Sequence, residues 1–330
     1  MRDGASSLAG QAIKQQKRRQ PGHPRFRLAL EKRAVRGYKG HAVSKDRSVS
    51  EIDKSNAAYW NEPCGSTRLE YLNVMATDPD HPEMLAAFDR FFFDFYPYLD
   101  RHIPFSAVDG KSVLEVGLGM GSVSERLARS GALLTGLDIA AGPVSTVNKR
   151  LERAGLPGAA RVGSILQAPF ADESFDLVVS LGCLHHTGDL PRALQEVHRI
   201  LKPGGLAVVM VYYAYSPKRW ILWPRGTLRH LLASGGSPQT VVEASASERA
   251  GYDRATDGSA PPETVFTSKR QFRAYARAFN SVSITLENLD TDMLLFPVQR
   301  EARQRIRPVL LKVGNALGIA TEDMYATLRK

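Results

Sequence analysis

Between Lys111 and Asp138 the spacing of hydrophobic and polar positions changes period twice. Ser112 to Val116 is a short apolar, β-branched run of the length of a buried strand, and it stops at three alternate glycines, Gly117, Gly119 and Gly121. From Ser122 the spacing becomes helical, with Val123, Leu127 and Ala128 on one face and Ser124, Glu125, Arg126 and Arg129 on the others. Gly131 closes that helix, and a second apolar run, Ala132 to Leu137, ends in Asp138, 21 positions after Gly117. Strand, glycine turn, helix, strand and terminal acid are the parts of a nucleotide-binding βαβ unit. An acid in that place stands at the carboxyl edge of a parallel sheet, where its oxygens can accept from a ribose diol.

The alternation continues downstream. Residues 141–154 read as a second helix, 159–163 as a third strand and 177–180 as a fourth, entered through Phe175 and Asp176. Leu190, Leu194, Val197 and Leu201 stripe a helix over 189–201 with Pro191 in its first turn; Lys202-Pro-Gly-Gly205 stops it ahead of a fifth strand at 206–211. Phe272, Tyr275, Ala276 and Phe279 share one face of a helix over 267–279, followed by a strand at 281–286, a helix at 306–317 and a last strand at 324–328. The expected architecture is α/β, a Rossmann-like doubly wound sheet of seven strands, mostly parallel with one antiparallel strand near the C-terminus.

Around this core, residues 111–212, the chain divides further. Residues 51–110 form an N-terminal helical cap in which Phe88, Phe91, Phe92, Phe95 and Tyr96 recur at helical intervals, as in a helix docked on the core. Residues 213–265, with Tyr213, Tyr215, Trp220 and Trp223 followed by a Gly-, Ser- and Ala-rich stretch, are an insertion at the sheet's carboxyl edge, where loops select substrates. Its polar run Tyr252 to Gly258 is a candidate lining for an acceptor, with no role assigned. Residues 266–330 complete the sheet.

The glycine spacing bears on which adenosine cofactor is bound. A dinucleotide site wants Gly-x-Gly-x-x-Gly, and the third position falls on Ser122. Glu115-x-Gly-x-Gly-x-Gly instead resembles motif I of the S-adenosylmethionine-dependent methyltransferases of the Rossmann-like class. The string Leu184-His-His, a helix, then Glu196-Val-His-Arg-Ile-Leu-Lys-Pro-Gly-Gly resembles the segment that follows the core motif in their small-molecule members, so the likeness spans about residues 110 to 212. It implies S-adenosyl-L-methionine as cofactor, held by Glu115, Gly117, Leu118, Gly119, Gly121, Asp138, Ile139, Ser164, Ile165 and Leu181. Tyr59-Trp-Asn-Glu-Pro-Cys-Gly65 resembles a segment that precedes the catalytic domain in a bacterial subgroup, which implies a cover over the methionine end. One departure is plain: many relatives carry an acid after the third strand for the adenine amino group, whereas Gly163-Ser-Ile-Leu166 has none. Ser164 and the backbone of Ile165 are left to edge the adenine.

Catalytic candidates are His185, His186 and Tyr212. Imidazoles just past a strand end lie at the mouth of the crevice with a pKa suited to accepting a proton, although in relatives with this pair one histidine often ties the loop together. Zinc is not expected, because no third or fourth ligand has suitable spacing. The Asn/Asp-Pro-Pro-aromatic run of enzymes that methylate exocyclic amines of bases is absent after the fourth strand.

With 330 residues, 43% hydrophobic and 24% charged, the composition is that of a globular protein, and no apolar run approaches a membrane span. Cys64 and Cys183 make neither a disulfide framework nor a metal site, which fits a cytoplasmic location. Charge changes the picture more. Residues 1–50 hold 13 of the 44 Lys and Arg but only 3 of the 34 Asp and Glu, so the whole formal excess of +10 sits there. Such a segment cannot bury enough apolar surface to offset its ordering entropy and is expected to be disordered; the functional alternative is a basic arm for nucleic acid or an anionic surface. The resulting expectation is a methyltransferase acting on a small-molecule acceptor, at oxygen before carbon or nitrogen. The rivals are a nicotinamide-dependent oxidoreductase, an RNA methyltransferase using the tail, and a methyltransferase-shaped protein that binds cofactor without catalysis.

Overall fold

Seven strands, β1 (Ser112–Val116), β2 (Leu133–Asp138), β3 (Ala159–Val162), β4 (Phe175–Leu181), β5 (Leu201–Tyr212), β6 (Ser281–Glu287) and β7 (Asp323–Arg329), form one sheet in the computed structural model. Residues 49–61, 81–289, 300–316 and 321–330 are described. The basic tail, and Glu62 to Gly65 of the tyrosine–tryptophan segment, lie outside them.

The strand order is β3-β2-β1-β4-β5-β7-β6. The first five strands pair in parallel, and β7 runs antiparallel to both β5 and β6. Alternate side chains of the central strands feed opposite faces. Leu114, Val116, Val178 and Val209 pack with Leu194, Val197 and Phe272, while Val113, Leu177, Val179 and Val208 pack with Val123, Leu127, Val147 and Leu151. Burial on both faces is why these strands read as continuous apolar runs rather than alternating ones.

Of the boundaries that differ from the sequence expectation, two have a visible cause. β5 starts at Leu201, because Leu201 pairs with Phe175 ahead of a shift in register. The Lys202–Gly205 run then bends within the sheet: the Gly204 amide donates to the Lys330 carbonyl (2.8 Å) and the Lys330 amide to that of Gly205 (3.1 Å). The helix expected over 267–279 is Lys269–Tyr275, started by a capping box between Ser268 and Gln271.

The Pro82–Phe95 helix lies on the core through Met84, Leu85 and Phe88, which cluster with Met120. Arg150 fastens it, binding Asp89 at 2.8 Å and Glu125 of the Ser122–Arg129 helix at 2.6 Å. Residues 213–265 carry the helices Pro217–Leu222, Pro224–Gly236 and Ala246–Ala250. A buried Arg219–Glu248 pair at 2.7 Å holds them, with Arg219 3.8 Å from the centre of the Phe266 ring. Among the described residues, no helix is long and apolar enough to cross a membrane.

Candidate active site

β1 ends in a turn that needs glycine. Gly117 has φ +80°, and a Cβ there would collide with the Cys183 side chain. Cys183 therefore packs directly on the turn, which is tied to β2 by the Gly117 amide donating to the Leu137 carbonyl (2.9 Å). Asp138, at the end of β2, is buried and accepts from the Leu118 amide at 2.8 Å and the Ala140 amide at 2.9 Å. With the Ile139 amide also bonded to it, the carboxylate serves three backbone donors and keeps capacity for one more. Burial pushes the Asp138 carboxyl up in pKa, against the pull of those amides.

Glu115 is buried beneath the turn, and its carboxyl is pushed up to about 8 by that burial. The Ser124 hydroxyl donates to it. Ser124 is therefore fully buried rather than on a solvent face of its helix: its partner is a carboxyl group, which hydrophobic periodicity does not register.

Most of the residues singled out from the sequence line a single cavity at the carboxyl ends of β1 and β4. Glu115, Gly117, Leu118, Gly119, Asp138 and Ile139 form the side next to the glycine turn, and Ser164, Ile165, Leu181, His186 and Tyr212 are also on its wall. Gly121 and His185 stand back from it. Gly121 is the left-handed cap of the Ser122–Arg129 helix. His185 is fully buried, its ring 4.1 Å from that of His186 and 4.3 Å from that of Tyr212. Burial holds its imidazole well below the ordinary histidine value, so it is neutral.

The chain also brings in Asp53 and Asn56, which sequence reasoning missed, beside Trp60 of the tyrosine–tryptophan string and two of the phenylalanines it had singled out. Asp53, Asn56 and Trp60, from the Val49–Trp60 helix, line the cavity, as do Phe88 and Phe92 of the aromatic helix. Asp53 hydrogen-bonds the Ser164 side chain, so an acid absent from the 163–166 run arrives from a remote helix. Asn56 donates to the His186 carbonyl at 2.8 Å, and the Trp60 ring lies 4.7 Å from that of His186. Nothing but polar positions three apart on a helix could have signalled Asp53 and Asn56. From the insertion come Tyr252, Asp253 and Arg254, the start of the polar run left without a role.

His186 is the best-connected of these groups. Its Nδ1 is 2.8 Å from the Glu263 carbonyl, and because a carbonyl only accepts, Nδ1 carries the proton. The other nitrogen, Nε2, lies 3.4 Å from Oδ2 of Asp253, which also accepts the Tyr212 hydroxyl at 2.8 Å. Burial, reinforced by the Asp253 charge, pushes the Tyr212 phenol well above its usual pKa, so Tyr212 acts as a donor and not as a phenolate.

Residues 114–209 match the family model described as a methyltransferase domain. The chain is 31% identical over 193 residues to the ubiquinone biosynthesis O-methyltransferase of Ruegeria pomeroyi, covering 54% of this chain and 73% of that one. It belongs to the S-adenosylmethionine-dependent methyltransferases. A shorter match, 33% identical over 113 residues, is to the demethylmenaquinone methyltransferase of Tropheryma whipplei, over 34% of this chain and 45% of that protein.

The lining suits this methyltransferase's cofactor. Among the described residues of the wall, the acids Asp53, Glu115, Asp138 and Asp253 face only two basic side chains, His186 and Arg254. A dinucleotide pyrophosphate would meet more carboxyl groups than cations there, whereas S-adenosylmethionine brings a sulfonium, an ammonium and no phosphate. The glycine turn at Gly117 and the buried carboxylate of Asp138 lie together on that wall.

Proposed function

We propose that this methyltransferase acts in the cytoplasm on a hydroxyl of a small-molecule acceptor, with His186 and Asp253 as the proton-accepting pair. The observation that carries the reading is that His186, Asp253 and Tyr212 meet in the same cavity as the glycine turn and Asp138. The name of the Ruegeria pomeroyi relative, an O-methyltransferase, supports oxygen as the acceptor atom. Asp138 holds the ribose, the Gly117–Gly119 backbone borders the methionine portion, and Asp53 with Ser164 edges the adenine amino group. When bound, S-adenosylmethionine supplies an electrophilic methyl group on a sulfonium, set for in-line displacement by the acceptor oxygen.

The residues then manage one proton. With Nδ1–H committed to the Glu263 carbonyl, the buried Nε2 lone pair of His186 is directed at Asp253, so the acceptor hydroxyl gives its proton first to the Asp253 carboxylate on the cavity wall. From Asp253 Oδ2 the proton can move to Nε2, 3.4 Å away, which leaves an imidazolium whose N–H faces the restored carboxylate that stabilises the charge. Tyr212 holds Asp253 in place through its hydroxyl. The rings of Trp60 and Tyr252 are part of the wall and give a flat acceptor surfaces to stack on.

The test is transfer from labelled S-adenosylmethionine to a panel of phenols and hydroquinones, with total RNA as a control acceptor. His186→Ala and Asp253→Asn should keep S-adenosylhomocysteine binding but lose turnover by about a hundredfold or more. Label entering RNA instead of the phenols, or full turnover in both variants, would overturn the proposal.

A further inference from the structure

The Pro224–Gly236 helix turns its apolar stripe outward. Its buried residues are Thr227, His230 and Ser234, all polar. Each is satisfied inside: Thr227 Oγ1 donates to the carbonyls of Arg219 (3.0 Å) and Trp223 (2.9 Å), His230 Nε2 lies 2.9 Å from Gln271 Oε1, and the Ser234 hydroxyl is 2.8 Å from that of Tyr215. The opposite side presents Leu228, Leu231 and Leu232, of which Leu232 is 70% exposed. The preceding Pro217–Leu222 helix packs against it and adds Trp220, Ile221 and Leu222, with Ile221 61% exposed. Six of the twelve large hydrophobic side chains exposed among the described residues thus lie between 220 and 232, a patch and not a scatter.

The charges carried by the two helices themselves have one sign, and the nearest acid in the chain, Glu243, comes after them with its carbonyl accepting from Arg229 at 2.7 Å. There is no Asp or Glu from Pro217 to Val242. Arg225 and Arg229 are exposed and four apart, on the flank of the leucine stripe. An isologous contact between two copies across this face would set the same cationic flank against itself. An anionic lipid surface matches both features: leucine and tryptophan side chains enter the boundary between headgroups and acyl chains, and arginines meet phosphates.

We propose that the face made by residues 217–236 seats this protein on an anionic bilayer surface. The helix lies in the interface plane with Trp220, Ile221, Leu228 and Leu232 toward the acyl chains and Arg225 and Arg229 at headgroup level. This holds whatever atom the enzyme methylates.

The test uses the full chain floated with vesicles of phosphatidylcholine alone and of phosphatidylcholine mixed with phosphatidylglycerol, at low and high salt. The basic segment 1–50 can also bind anionic vesicles, but that contribution is screened as salt rises, whereas apolar insertion is not. At high salt the Leu228→Ser/Leu231→Ser/Leu232→Ser variant should partition about tenfold more weakly, and Arg225→Glu/Arg229→Glu should lose the preference for phosphatidylglycerol. Both should keep the parent's S-adenosylhomocysteine binding, since the altered side chains are exposed and lie off the cavity wall. In the unaltered chain, lipids brominated along their tails should quench tryptophan emission, and Trp220→Phe should remove that quenching. Vesicle binding unaffected by the leucine changes would assign it to the tail and overturn the proposal. So would the absence of quenching, or a dimer in sedimentation that the leucine changes dissociate without any vesicle binding.

Discussion

At the scale of single residues, two carboxyl groups of similar burial have opposite duties. Asp138 is held by the backbone amides of Leu118, Ala140 and Ile139, and in the proposed function it holds the ribose. Asp138→Ala should cost about 1.5–3 kcal/mol of S-adenosylhomocysteine affinity, the worth of hydrogen bonds to a charged acceptor, while Asp138→Asn, which keeps one accepting oxygen, should cost less. Calorimetric titration of both variants checks this, and equal affinity in all three proteins would remove the ribose role. Glu115 is buried as a neutral acid, its pKa raised from 4.5 to about 8. A carboxyl whose folded value lies above its unfolded value stays protonated in the folded chain while the unfolded chain ionises, so its contribution is complete at low pH and is lost as pH rises between those two values. Over that window stability should fall with a slope of up to about 1.4 kcal/mol per pH unit from this group, and Glu115→Gln should flatten the slope. Denaturant titrations at several pH values read the difference directly; an unchanged slope would mean that Glu115 is ionised in the folded protein.

At the scale of elements, the local units were readable and the distant partnerships were not. β1, its glycine turn and the Ser122–Arg129 helix follow from changes of period within a few residues, and Asp138 follows from its distance to Gly117. Ser124 was misplaced because a buried hydroxyl bound to a carboxyl group looks like a solvent-facing polar residue to any pattern of hydrophobicity. β5 was started late because the pairing of Leu201 with Phe175 is a property of the sheet, while Pro203-Gly-Gly205 is a property of the chain. Asp253 was visible only as part of a polar run, since its meeting with His186 depends on how the insertion folds back. The same limit hid Asp53, which reaches Ser164 only when the Val49–Trp60 helix lies over the sheet edge. If that helix supplies the adenine-binding acid, Asp53→Ala should weaken S-adenosylhomocysteine by about 1 kcal/mol, but leave binding of the inosine analogue, which lacks the amino group, unchanged. Equal losses for both ligands would place Asp53 elsewhere in the site.

At the scale of the whole molecule, the strand order decides where the chemistry lies. The sheet reverses direction of growth between β1 and β4, and the crevice outside their carboxyl ends is where a ligand fits in such a fold. The remaining requirement is a roof, and the Pro82–Phe95 helix provides part of it through Phe88 and Phe92. What holds that helix down is Arg150, only 3% exposed, bound to Asp89 of the helix and to Glu125 of the neighbouring Ser122–Arg129 helix. Ser122 adds a third tie, its hydroxyl donating to Asp89 at 2.6 Å, so the position where a dinucleotide fold wants glycine is used for fastening. Removing the cation leaves two carboxylates facing each other. Both are partly wetted, at 26% and 19% exposure, so the loss should fall below that of a fully buried pair, at about 2 kcal/mol. Arg150→Met, which keeps the length of the stem, should lower the denaturant midpoint accordingly. The roof should loosen with it, so S-adenosylhomocysteine affinity should fall in the same variant although Arg150 is not on the cavity wall. A double-mutant cycle with Asp89→Asn separates the two effects: coupling in both stability and affinity means that the helix closes the site through Arg150, whereas coupling in stability alone means that the roof stays in place without it.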